Sequence, residues 1–376
     1  MPRHPRSRSP FLLLLLILAC RSASADSLPE TLIAAKSGTQ VPALAALVFH
    51  HGAVVEQAVV GVRRNDRPQP AGAEDRFALG SDGKPITATL IARLVDRGVL
   101  DWDSPLQKLL PDLAAKVRPE YGAITLRQML SHRAGLPENV SDMAYFATFF
   151  TDTRSLTAQR RAYVQRALSE PALSPPGTAV SYSNTGFLLA AVIAEAVTRQ
   201  AYEQLMDREV FRPLGMKSAR FANPGDAEAL GHRHGAPVLE PFATGEDGNP
   251  MMFAPAGGGL HMTLRDWARF CADQLAGAEG HGRLLKAATY RQMQTPNAGT
   301  SSGLGWGVQA SVGGRQGPVL VHAGSDGNWY ALVVLFPATG NGALVAANAG
   351  EDMGGDQATQ KVLGTLLAEL APAAPR

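Results

Sequence analysis

A chain of 376 residues with 45% hydrophobic and 18% charged content has ample apolar material for a packed core, which excludes disorder as its resting state; its length lies between one large domain and two. Its formal charge of +2 belongs to the first residues: taking Arg3, Arg6, Arg8 and Arg21 from the 35 lysines and arginines leaves 31 against 33 acids. Beyond residue 25 the balance is slightly acidic, and no basic field is left to attract nucleic acid.

The first twenty-five residues follow the plan of a secretory signal: a basic start, the apolar run Phe11 to Ala19, and the small residues Ala23-Ser24-Ala25. The apolar run is far short of the roughly 20 residues that a membrane-spanning helix needs. Ile17-Leu18-Ala19-Cys20 resembles the box at which bacterial lipoproteins are cut and lipidated, so two expectations stand. Cleavage before Asp26 gives a free periplasmic or secreted protein; a leader ending at residue 19 gives one tethered to the membrane through Cys20. Either cut leaves Cys271 as the only internal cysteine, and the fold must stand without an internal disulfide.

Residues 43–49 and 53–62 read as two strands of a hairpin turning at His50-His51-Gly52. After a polar loop near 63–74, Phe77-Ala78-Leu79 leads into Gly80-Ser81-Asp82-Gly83-Lys84, and the period changes: Ile86, Leu90, Ile91, Leu94 and Val95 follow helical spacing up to Arg97-Gly98. Short helices are expected after Asp103, from Thr125 to about His132, and from about 155 to 169. The loop Leu173-Ser174-Pro175-Pro176-Gly177 then delivers Tyr182-Ser183-Asn184 to the mouth of a helical pattern over 186–199. Beyond Met216 the chain to about 255 reads as loop, and Thr263 to Asp273 as a capped helix. Strand-like runs follow at 304–311, 317–322, 329–336 and 342–348, before a last helix carrying Val362, Leu363, Leu366, Leu367 and Leu370. Strands at both ends with helices between predict an α+β domain over 26–376, one sheet closed by the two termini, and a mostly helical middle at about 100–255.

Three segments carry candidate chemistry. Ser81 and Lys84 stand three apart at a helix start, on one side, so the amine reaches the hydroxyl and the helix N-terminus favours negative charge on the serine oxygen. For an isolated Ser-x-x-Lys, a serine that merely caps the helix, with a lysine in water, is the commoner arrangement, and only the context changes that. In an extended Tyr182-Ser183-Asn184 the phenol and the carboxamide project the same way; a cationic Lys84 beside Tyr182 would favour its phenolate, making it a candidate base, and Asn184 would hold Lys84 or a substrate carbonyl. Val321-His322-Ala323-Gly324-Ser325 is a strand ending in glycine, able to bring backbone N–H groups to a substrate oxygen. His232-x-His234 has a spacing that a metal can use on a strand but no acidic or cysteine ligand close by, so no metal is assigned.

Together the three segments resemble the signature set of the serine β-lactamases and penicillin-binding proteins, Ser-x-x-Lys, then Ser-Asp-Asn, then Lys-Thr-Gly. The tyrosine form of the second motif is similar to the class C β-lactamase branch, with its D-alanyl-D-alanine carboxypeptidases, D-aminopeptidases and family VIII esterases. Residues 124–137 (ITLRQMLSHRAGLP), Phe211-Arg212-Pro213-Leu214-Gly215-Met216 and Gly303-Leu304-Gly305-Trp306-Gly307 extend the resemblance. It implies a β-lactamase/transpeptidase-like fold with a helical insertion subdomain, and an acyl-enzyme hydrolase. Ser81 would be the nucleophile, Lys84 and Tyr182 would move protons, and Asn184 would orient them or the substrate. The N–H groups of Ser81 and Ser325 would bind the oxyanion, with His322 and Gly324 lining the cleft. No cofactor is implied, and the substrate would be a small ester, amide or D-amino-acid peptide, peptidoglycan fragments included.

Two departures stand out. Asp82-Gly83 replaces the apolar and small hydroxyl residues usual between serine and lysine, adding a negative charge and a loose turn, with Asp82 a natural cap for the helix that Pro85 must enter in its first turn. His322 stands where β-lactamases carry a lysine that binds carboxylates, which makes β-lactamase activity weak or absent. The competing expectation is a non-catalytic relative that binds cell-wall fragments or a partner, with Asp82-Gly83 marking lost chemistry.

Overall fold

A computed structural model describes residues 27–371 apart from 223, 226 and 240–247. The leader, its two cleavage sites and Cys20 lie outside the described residues. Within them, no helix is long and apolar enough to cross a membrane.

Seven strands form one antiparallel sheet: β1 (Ala43–His50), β2 (Ala53–Arg64), β3 (Arg67–Pro70), β4 (Gly307–Val312), β5 (Arg315–Ser325), β6 (Tyr330–Phe336) and β7 (Asn341–Ala347). Their order is β3-β2-β1-β7-β6-β5-β4, so the chain ends meet at the β1–β7 pair, where Leu44 faces Ala347 and Val48 faces Ala343. The β1–β2 hairpin turns where the sequence places it. His51 and Gly52 both take positive φ, 51° and 75°, the conformation that matches the strand twist in a two-residue turn.

At its centre the sheet is buried on both faces, which is why β1 reads as an unbroken apolar run rather than an alternation. Leu44, Ala46 and Val48 pack under the terminal helices α1 (Leu28–Lys36) and α5 (Gly355–Leu370). Ala45, Leu47 and Phe49 face the larger core, built with α2 (Gly83–Asp96), α3 (Asn184–Thr198) and α4 (Leu264–Gly277). Thr125 caps the helix Leu126–Leu130 through a reciprocal pair with Gln128, and Ser155 caps Leu156–Ala167. The segment read as loop up to 255 contains short strands and the turn of helix Met251–Ala256. Alpha1 and the helix Ala287–Met293 had no sequence expectation; the first is short and weakly periodic, the second only seven residues.

Asn348, just beyond β7, joins the two ends of the chain. Its buried carboxamide accepts from Ala43 N–H at 2.6 Å and donates to the carbonyls of Val62 and Arg63 at 3.3 and 3.1 Å. Asn348→Ala leaves that N–H buried without a partner, and is expected to lower stability by about 2–3 kcal/mol in urea unfolding with an unchanged m-value.

Candidate active site

The chain enters the site through Phe77-Ala78, pairs there with Leu260–Met262, and turns through one 3₁₀ turn, Gly80–Asp82, directly into α2. That turn is held by backbone approaching backbone. A Cβ on Gly324 would stand 1.9 Å from the Leu79 carbonyl and 2.7 Å from the Ser81 nitrogen, and one on Gly80 would stand 2.6 Å from the Ser325 nitrogen. The end of β5 therefore lies flat against the serine turn, and glycine is required at 324 because any side chain would fill the gap. Gly83 meets a similar demand: a Cβ there would sit 2.9 Å from Gly257 Cα. Its backbone is ordinary helix, φ −68°, so the glycine serves close approach and not a loose turn.

Lys84 and Tyr182 converge on Ser81. Lys84 Nζ lies 2.8 Å from Ser81 Oγ and donates to the Ala256 carbonyl at 2.9 Å; the Tyr182 hydroxyl donates to Ser81 Oγ at 2.7 Å. Lys84 is wholly buried, its ammonium 4.9 Å from the Tyr182 ring centre and 5.7 Å from that of Phe187. Burial lowers its pKa to about 7 against the opposing pull of Asp82 and Glu138. A neutral Lys84 that donates to Ala256 keeps its lone pair for the serine proton. Tyr182 moves the other way: burial pushes its phenol up to about 12, with the Ser81 hydrogen bond only partly opposing. The phenolate expected beside a cationic lysine does not form near neutral pH, and the better base in the ground state is the amine.

Asn184 is the first residue of α3, where Ser183 rather than an asparagine caps the helix by accepting from Gly186 N–H. Its carboxamide donates to Asn139 Oδ1 at 3.0 Å, so Asn139, not Asn184's hold on Lys84, defines its orientation. Ser81 opens on a cavity of about 200 Å³ lined by Asn139, Asn184, Phe146, Phe253, Gly257 and Ser325. A second pocket, about 320 Å³, is lined by His132, Tyr182, Trp306 and His322. Asn184 lines the first and Tyr182 the second, and the Tyr182 hydroxyl reaches Ser81 at the edge of the first. Ser325 turns its hydroxyl to Glu351 at 2.9 Å, leaving its backbone toward the serine turn.

Asp82 is not a cap: its side chain makes no capping bond and is buried, and burial raises its pKa well above the usual carboxylate range while Lys84 opposes. Burial thus works against the negative charge expected beside the nucleophile, and the neighbouring lysine works for it. His232 has both ring nitrogens engaged, Nδ1 with the Asn348 carbonyl at 2.8 Å and Nε2 accepting from Asn65 N–H at 3.1 Å, which leaves no lone pair for a metal.

Sequence reasoning missed Ala256 to Gly258, Asn139 and His132. A run of three glycines at 257–259 was the available signal for close backbone approach, and Gly257 φ is +108° with an added Cβ 1.7 Å from the Gly80 carbonyl. His132 sits inside the 124–137 stretch; its ring stacks on Tyr182 at 4.6 Å and its Nδ1 accepts from Ser183 N–H at 3.0 Å.

Residues 30–365 match the family model described as Beta-lactamase. The chain is 28% identical over 300 residues to the D-alanyl-D-alanine-carboxypeptidase/endopeptidase AmpH of Escherichia coli K12, covering 75% of this chain and 72% of AmpH. It is 26% identical over 289 residues to esterase EstB of Burkholderia gladioli, covering 70% and 72%. A solved D-stereospecific amidohydrolase from Streptomyces sp. superposes with a TM-score of 0.68 at 26% identity, over 89% of this chain and 96% of that one.

Because an ammonium cannot accept the serine proton, reactivity of Ser81 is expected to be low below pH 6 and to rise to a plateau above pH 8, with an apparent pKa near 7. The rate of covalent labelling by a fluorophosphonate between pH 5 and 9 measures this directly; a flat profile would contradict the lysine base.

Proposed function

The chain belongs to the Beta-lactamase family and is a serine hydrolase, and from its geometry we propose how the reaction runs. Ser81 Oγ attacks a carbonyl carbon as the neutral Lys84 amine takes its proton, and the backbone N–H groups of Ser81 and Ser325 hold the oxygen that becomes negative. Tyr182 gives its proton to the departing oxygen or nitrogen. Water then attacks the acyl-serine, returning a proton to Tyr182, while the ammonium of Lys84 restores the serine hydroxyl.

The observation that carries this reading is the pair of contacts on one oxygen, 2.8 Å from a buried lysine of lowered pKa and 2.7 Å from a phenol. A binding-only relative has no use for a lysine kept near its neutral form. Asp82 and Gly83, which suggested lost chemistry, are accommodated without disturbing either contact.

The substrates are small esters, amides or D-amino-acid peptides, peptidoglycan-derived ones among them; the names of AmpH, EstB and the Streptomyces amidohydrolase support this range. The pocket wall offers His322 where a fixed cation would hold a β-lactam carboxylate, which supports weak or absent β-lactamase activity. The basic and apolar leader supports export to the periplasm or medium, or tethering through Cys20.

Protein lacking residues 1–25 is expected to form a single fluorophosphonate adduct on Ser81, read by mass spectrometry and lost in Ser81→Ala. Tyr182→Phe is expected to keep the adduct but lower kcat for p-nitrophenyl and amide substrates by about 10²–10⁴-fold, more for the amide, whose leaving nitrogen needs the proton. Absence of any adduct in the wild type would reject the hydrolase mechanism.

A further inference from the structure

Asp82 is the residue that departs most from the signature, and its buried position gives it a partner in the cleft wall. Neither carboxyl oxygen has a hydrogen bond among the described residues. Oδ1 lies 3.4 Å from Nδ1 of His322, and the two side chains are 0% and 10% exposed. Lys84, His132 and Tyr182 are committed elsewhere, Lys84 to Ser81 and Ala256, His132 to Ser183 and Tyr182 to Ser81, while the thiol of Cys271 and the phenol of Tyr330 are the other titratable groups that Asp82 acts on.

The same Nδ1 lies 3.0 Å from the carbonyl oxygen of Ala323. A carbonyl only accepts, so the single proton of a neutral imidazole belongs on Nδ1, and Nε2 keeps its lone pair. The ring stays neutral, because burial first and Lys84 second lower its pKa to about 3. His322 lines the pocket that Tyr182 also lines, and Nδ1 is turned to Ala323 and Asp82; the nitrogen left for that pocket is a bare acceptor. A leaving group that takes its proton from Tyr182 and enters this pocket meets that acceptor.

We propose that Asp82 is a positioning residue which, with the Ala323 carbonyl, fixes His322 in the Nδ1–H form, so that Nε2 selects leaving groups carrying an N–H or O–H donor over those carrying a carboxylate. The inference rests on the reading of Ser81 as nucleophile. It gives the Asp82 and His322 departures one joint role: a cation that holds carboxylates is replaced by an oriented acceptor, braced from behind by an acid.

The test uses the acetate esters of 4-hydroxybenzamide and 4-hydroxybenzoate, with rates normalised to their alkaline hydrolysis. Wild type is expected to favour the carboxamide ester at least tenfold in kcat/KM, His322→Lys to reverse that order, and His322→Ala to abolish it. Asp82→Asn is expected to shrink the preference to threefold or less in the wild-type background and to change nothing further in His322→Ala, as a residue acting through His322 must. Nitrogen-15 shifts of the His322 ring are expected to show Nδ1 protonated and Nε2 bare. Equal rates for the two wild-type esters, a protonated Nε2, or an Asp82→Asn effect that persists without His322 would each overturn the proposal. Should Asp82→Asn not fold, the His322 variants and the ring shifts still decide. Fluorophosphonate labelling of Ser81, measured on every variant, separates the cases: labelled protein without the preference refutes this inference alone, whereas unlabelled wild type refutes the serine mechanism beneath it.

Discussion

The contact on which the rest depends is backbone against backbone around Ser81. Three segments far apart in sequence, Gly80-Ser81 at the entry to α2, Gly324-Ser325 at the end of β5, and Gly257 after the Met251–Ala256 turn, come closer than side chains permit. Their glycines replace side-chain packing with close main-chain approach, and that brings the amides of Ser81 and Ser325 to neighbouring positions. The Gly257 segment simultaneously supplies the Ala256 carbonyl that holds Lys84. Placement of the nucleophile, the amides beside it and the amine is thus one packing event rather than three.

Burial then sets the chemistry. A lysine on a solvated helix face would be an ammonium at pH 7 and useless as a base; under Tyr182 and Phe187 it sits at the edge of neutrality. Burial opposes charge on Tyr182, Asp82 and His322 in the same way. Burial thus disfavours fixed charge on the groups beside the serine, which suits a reaction whose intermediate brings its own negative charge to a prepared place.

Much of this was legible in the sequence because it is local. The β1–β2 hairpin, α2, the Thr125 cap and the last four strands announce themselves by period and punctuation, and the order of Ser81-x-x-Lys84, Tyr182-x-Asn184 and His322-x-Gly324 resembles a known set. What stayed hidden is what depends on distant partners. Gly83 looked like flexibility until Gly257 was seen against it, and Asp82 looked like a cap until its carboxyl was found inward, near His322. The Tyr182 shift runs against the motif reading for a related reason: proximity to a lysine is readable from a motif, whereas the burial that acts on the phenol is not.

The sheet closes by joining residue 44 to residue 347, and Ser325 reaches the serine turn through the strand two places further on. A chain emerging from its N-terminus can fold α2 early, yet the serine remains without its neighbouring strand until nearly the entire polypeptide has been made. Hydrolytic competence is accordingly withheld from partial chains: until β5 is made, Ser81 lacks the strand end that packs against its turn.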